Sequence, residues 1–228
     1  MATVVNDVVG SSRGLSMNHW RSRVLCLCAW GAAMAAHAGS LTVKMVDSQG
    51  HPISDGVATI DRAYQPSAPS THYVDQKNET FIPYVEVVHP GDSVVFRNSD
   101  STRHHVYTFS PLGAFQFILS PGESSPPVAL NRAGVIAVGC NIHDHMIAYL
   151  VVATDFAEVT TQNGQAHFDD LSPGHYTVTV WHPQLWPGRP PIRAAVDVPA
   201  EGATQELAFT LKLMPDPRHF VDREHLDY

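Results

Sequence analysis

Between residues 139 and 146 the sequence reads GCNIHDHM, so a thiol, two imidazoles and a thioether fall within eight positions. Cys140, His143 and Met146 follow the spacing C-x2-H-x2-M, and NSDSTRHHV (98–106) places His104 and His105 just after a β-rich run upstream. A soft thiolate with two imidazoles in a trigonal plane, plus a weak axial thioether, is a donor set that selects copper and supports electron transfer. Cu(II) and Cu(I) favour different coordination, so a site fixed between them by a rigid β-scaffold needs little rearrangement when one electron moves. A short loop giving three donors, with the fourth from a neighbouring strand, provides that rigidity. Each residue also has a plainer reading: Cys140 as a small buried hydrophobe, Met146 as core, the histidines as turn or strand-end residues. Taken jointly, the cysteine at metal-ligand spacing and the separate histidine after an N-x-D turn favour metal ligation.

Whether Cys140 has a disulfide partner depends on the N-terminal region. From Met17 the chain reads MNHWRSRVLCLCAWGAAMAAHAGS, with Arg21 and Arg23 ahead of an apolar run and then Ala36-His37-Ala38. That layout is a secretory signal peptide over residues 1–38, with Met17 as an alternative start. The apolar core is shorter than the roughly twenty residues a membrane span requires. Cys26 and Cys28 fall inside it, so an exported chain from Gly39 keeps Cys140 alone. In an oxidising compartment a lone thiol is buried and inert, paired with another chain, reactive, or metal-bound. Three of the 14 Lys and Arg and one of the 22 acidic residues precede residue 39, leaving 11 basic against 21 acidic, a net charge of about −10. That balance argues against nucleic acid and anionic lipid as partners.

The elements that must position these groups are strands. After residue 38 helical periodicity is nearly absent, and short β-rich runs recur: LTVKMV (41–46), YVEVV (84–88), SVVFRN (93–98), GVIAVGC (134–140), MIAYLVVA (146–153) and YTVTVW (176–181). Pro90-Gly91-Asp92, Pro121-Gly122 and Pro173-Gly174 separate them, the pattern of antiparallel sandwiches. The fold class is all-β. AYQPSAPSTHYVDQ (63–76) reads as a Pro- and Ser-rich connection between residues 39–62 and a strand-rich block over 77–153; a second block spans 154–213, and 214–228 is a charged, Pro-broken tail.

VEVVHPGDSVVFRNSDSTRHHVYTF followed by GVIAVGCNIHDHM resembles the plastocyanin and amicyanin type of cupredoxin, the small blue copper proteins. The resemblance covers about 80 residues and implies a Greek-key β-sandwich holding one type-1 copper through His104, Cys140, His143 and Met146. His104 is preferred to His105 because the interval from the turn asparagine to the ligand is six in amicyanin, and Asn98 plus six is His104. The sequence departs from the family at three places. His105 stands where relatives often have a bracing Asn, and either takes over that role or competes for metal. Ile142 stands where relatives have Pro, which leaves an N–H expected to donate to the Cys140 sulfur. His145 could replace Met146 axially, although the thioether is favoured. The resemblance further implies that His143 lies near the surface in an apolar ring and serves as an electron port.

TTQNGQAHFDDLSPGHYTVTVWHP (160–183) and LTVKMVDSQGHPISDGVATI (41–60) look like the two signature runs of a carboxypeptidase-regulatory or transthyretin-like β-sandwich. The copper block would then be inserted into that sandwich. The overall layout is similar to exported plastocyanin-like proteins labelled methylamine utilization proteins, a label that does not establish a pathway. No nucleophile-base or paired-carboxylate motif marks the second module, so its expected role is structural or adhesive, and the chain as an electron carrier is read as non-enzymatic. The expectation is a periplasmic one-electron carrier between transient redox protein partners, without a membrane span in the mature form. Its rivals are a copper chaperone or buffer, a histidine-rich metalloenzyme built on His104, His105, His143 and His145, and a metal-free adhesion module.

Overall fold

A computed structural model describes residues 38–65, 68–200 and 202–219 of the chain. The expected signal segment, Ala38 apart, and the end of the tail lie outside the described residues. Among those residues no helix is long and apolar enough to cross a membrane. The structure is all-β. Strands β1 (Gly39–Val46) and β2 (Val57–Ala63) come first. Then follow β3 (Thr71–Gln76), β4 (Phe81–Ile82), β5 (Val85–Val88), β6 (Ser93–Asn98), β7 (His104–Thr108), β8 (Phe115–Leu119), β9 (Val128–Ala129), β10 (Gly134–Cys140) and β11 (Ile147–Val152). The last group is β12 (Asp155–Val159), β13 (Gln165–Leu171), β14 (Gly174–Trp181), β15 (Ile192–Val198) and β16 (Thr204–Thr210).

Pairing separates these groups. The first two strands join the last five in a three-stranded sheet, β13-β1-β16, and a four-stranded sheet, β12-β2-β14-β15. The nine strands between them make a five-stranded sheet, β5-β11-β10-β7-β8, and a four-stranded one, β4-β3-β6-β9. β1 alternates in burial along its whole length, with Leu41, Val43 and Met45 inward, the period of two that lets one strand face core and surface at once. Those residues meet Ile60, Phe168, Val178, Val180 and Phe209 in one apolar cluster. At Gly164 (φ +68°) a Cβ would come within 2.5 Å of Met45 O, so the Asn163-Gly164 turn admits only glycine without displacement.

The nine-strand sandwich has its own core of Val74, Phe81, Phe96, Leu130, Ile136, Val138, Leu150 and others; each such side chain contributes about 1.5–3 kcal/mol through burial. Its outer surface along β5 and β11 packs against β2 and β14 through Val85, Val151, Tyr149, Val57 and Trp181. β3 differs from the sequence reading, which treated residues 63–76 as a connection. Val74 and Gln76 alternate inward there, and β3 pairs in parallel with β6 from Thr71↔Ser93 to Gln76↔Asn98. The Pro- and Ser-rich composition ends at Ser70, and Thr-His-Tyr-Val beyond it is β-favouring sequence.

Asp92 fastens the turn that closes β5. Its buried carboxylate accepts hydrogen bonds from the N–H groups of Ser70 (2.7 Å) and His89 (2.8 Å), and lies 3.3 Å from His72 Nε2. Burial alone would raise its pKa above the ordinary 3.8, but the Ser70 and His89 N–H groups and His72 favour the charged form and leave it lowered. A depressed carboxyl pKa stabilises the fold above the unfolded value, and that contribution fades as pH falls through the native one. Asp92→Asn should therefore cost about 1.5–3 kcal/mol at neutral pH and flatten the loss of stability below pH 3.8. Urea unfolding of both proteins across the acid range checks it.

Candidate metal centre

The same period of two that builds the core aims the donors. Along β10 the buried positions are Ile136, Val138 and then Cys140, so the thiol continues an apolar row inward. On β7 the buried positions are His104, Val106 and Thr108. His104 is fully buried, whereas His105 faces outward, its ring 6.1 Å from that of Tyr107. Met146 precedes β11 and lies in the same apolar cluster as Cys140. The loop between β10 and β11 is closed by its own backbone: Cys140 N–H donates to Met146 O (3.1 Å) and Met146 N–H to His143 O (3.0 Å). Asn141 N–H donates to His105 O (3.0 Å), tying the loop to β7.

Cys140 Sγ lies 3.8 Å from Nδ1 of His104 and 3.8 Å from Nδ1 of His143. Among the described residues these three side chains form the group whose donor atoms all fall within 4.8 Å of one another. The spacing fits a shared ion: bonds of ~2.0–2.1 Å to nitrogen and ~2.3 Å to sulfur, opened to about 120°, would separate sulfur and nitrogen by ~3.8 Å. His145 stands outside the group, its ring centroid 6.2 Å from that of His143.

Each imidazole also rests on a carboxylate at its far nitrogen. His104 Nε2 donates to Asp100 Oδ2 at 3.1 Å, and His143 Nε2 lies 3.6 Å from Glu79 Oε1. Burial chiefly holds the His104 pKa below its ordinary value, against the pull of Asp100 and with help from the neighbouring His143. The Asp100 pKa is also lowered: burial opposes ionisation, but the Glu79 N–H, His104 and the Asn78 N–H outweigh it. An ionised Asp100 only accepts, so the His104 proton sits on Nε2 and the Nδ1 lone pair is left toward the sulfur.

Glu79 reaches this position through a strained turn. Asn78 (φ 52°) and Glu79 (φ 51°) both occupy the left-handed region at the centre of the four-residue connection between β3 and β4, whose ends Lys77 and Thr80 exchange backbone hydrogen bonds (3.0 and 3.2 Å). A hairpin of this kind requires positive φ at both central positions, usually as Asn-Gly. Asp100 offsets the cost by accepting the Asn78 (3.0 Å) and Glu79 (2.7 Å) N–H groups. Sequence reading noted the N-x-D turn without giving Asp100 a role, and it missed Glu79. The Asp100 signal was its place two residues after Asn98 and four before His104; nothing local marks Glu79, which arrives by the pairing of distant strands.

One expectation changes. Among the described residues no hydrogen bond runs from the Ile142 N–H to the sulfur; the hydrogen-bonding contacts of Cys140 Sγ are the two Nδ1 atoms. His143 is 8% exposed, with Glu79 at its Nε2.

No protein-family model matches this sequence, and no curated protein matches it. Several solved structures are similar to part of the chain. A purple cupredoxin from Nitrosopumilus maritimus aligns over 36% of this chain and 99% of its own at 17% identity, TM-score 0.33. A copper(I) amicyanin variant aligns over 42% of this chain and 98% of its own at 19% identity, TM-score 0.34. An oxidised amicyanin variant gives the same coverage, identity and score.

Asn98 supports the loop that carries Asp100. Its Nδ2 donates to Thr102 O (2.8 Å) and Leu119 O (2.9 Å), and its Oδ1 accepts the Asp100 N–H (2.9 Å). Asn98→Ala strands these buried partners and should lower stability by about 2–3 kcal/mol; a midpoint of urea unfolding equal to wild type would exclude Asn98 as the support.

Proposed function

We propose that this chain is an exported one-electron carrier of the cupredoxin kind, holding one copper through Cys140, His104 and His143, with Met146 as the weak fourth ligand. The observation that carries the reading is the buried thiol 3.8 Å from two imidazole Nδ1 atoms, a set in which soft sulfur and borderline nitrogen favour copper. Copper bound there would supply a one-electron couple. The chain's part is to hold the donors still: β10 and β7 fix Cys140 and His104, the closed 140–146 loop fixes His143, and Asp100 keeps the His104 proton off Nδ1. His143, nearest the surface of the three, is the side from which transient redox protein partners would exchange electrons.

The seven-strand sandwich formed by β1, β2 and β12–β16 is read as a carboxypeptidase-regulatory or transthyretin-like host into which the copper domain is inserted, with a structural role. The chain itself is read as non-catalytic and periplasmic.

Addition of Cu(II) to wild type and to Cys140→Ser tests this. The wild type should develop intense visible colour from thiolate charge transfer with a narrow copper hyperfine splitting, and Cys140→Ser should show neither. A colourless wild type removes the reading; a copper site that survives in Cys140→Ser and binds azide points to a histidine-based metalloenzyme. Asp100→Asn should retain the colour but bind copper about 10–100-fold more weakly, measured by chelator competition.

A further inference from the structure

We propose that the seven-strand sandwich carries a binding pocket for a small organic acid built on a flat apolar ring. The last register pair of β14 and β15 is Val180↔Ile192, and the chain between them makes a long excursion over residues 182–191. Hairpin loops are commonly two to five residues, and longer ones are enriched in function.

The base of this loop is locked. His182 is 3% exposed, and both ring nitrogens are engaged: Nε2 donates to Ser54 O (3.1 Å) and Nδ1 accepts the Gln184 N–H (3.1 Å). Gln184 donates from its side-chain Nε2 to Met214 O (2.8 Å), and its backbone carbonyl accepts the Met214 N–H (2.8 Å). Leu185 N–H donates back to His182 O at 3.0 Å. Beyond that anchor the sequence Trp186-Pro-Gly-Arg-Pro-Pro191 fixes φ at three prolines. The base of the loop is therefore held and its tip stiffened at three positions, which lowers the entropic cost of binding.

Under the loop lies a cavity of about 670 Å³, inside the ~300–1,000 Å³ range of small-molecule sites. It is lined by Trp181, Trp186, Leu185 and Ile192, with Lys212 and Arg189 as its charged residues. Trp186 remains 55% exposed, so an indole face is left for an occupant to cover, and a planar ring is the group that stacks there. Two cations on one pocket of a chain with 14 basic and 22 acidic residues create a local preference for anions. Trp181 is also 5.7 Å from Tyr149 of the adjoining sandwich, so the occupant would touch a side chain at the interface. The pocket requires no metal, and the copper reading can fail without it.

Calorimetry on the mature chain with benzoate, indole-3-acetate and 2-naphthoate, and with uncharged 2-naphthamide, tests the proposal. At least one acid should bind at a single site with Kd below about 1 mM, about tenfold tighter than its uncharged counterpart. Trp186→Ala should weaken it at least tenfold, and Lys212→Gln and Arg189→Gln should each weaken the acid but leave 2-naphthamide unchanged. Trp186 is largely exposed, so its variant should keep the wild-type melting temperature; if it does not, the Lys212 and Arg189 variants carry the test. No saturable acid binding, equal binding of acid and amide, or unaltered binding to all variants would overturn the proposal.

Discussion

The site depends on a thiol placed in a row of apolar side chains. Ile136, Val138 and Cys140 share one face of β10, so core packing that orients the first two also orients the third. A sulfur there meets two imidazoles instead of hydrocarbon only because β7 brings His104 inward beside Val106 and the closed loop brings His143 back. Buried polar groups require partners, and here the donors face one another while their far nitrogens face carboxylates. The inner nitrogens of both imidazoles are thus turned toward the one sulfur.

Asp100 links elements that are remote in sequence. Its carboxylate accepts hydrogen bonds from His104 Nε2–H and from two N–H groups of the β3–β4 turn, and its own N–H donates to Asn98 Oδ1, which orients it. Through that turn it also positions Glu79 against His143. One carboxylate therefore sets the geometry around both imidazoles, and the strain of two left-handed residues is the cost of bringing the second acid into place.

Legibility in the sequence followed sequence distance. Cys140, His143 and Met146 stand within seven residues, and their spacing together with a separate histidine after the N-x-D turn marked them; His104 was preferred to His105 through the interval from Asn98 in the amicyanin resemblance, and the alternation of β7 turns His104 inward. The strand runs at 41–46, 93–98 and 134–140 were visible for the same reason. β3 was hidden by the prolines and serines before it. Glu79 was hidden because parallel pairing of β3 with β6 is a long-range event with no local signature. The loop of residues 182–191 reads as breaker-rich sequence, and only its anchoring through His182 and Gln184 gives it a definite form.

The route from β2 into the nine central strands and back into β12 has a further implication. Ala63 and Asp155 are register partners, and Tyr64 N–H donates to Thr154 O at 3.0 Å, with the Tyr64 ring stacked on His89 and edge-on to Phe156. Outgoing and returning chain are thus clasped at a single neck. The nine-strand lobe that brings Cys140, His104 and His143 together thus enters and leaves the seven-strand sandwich at the same place, and β2 and β12 pair directly across its two ends.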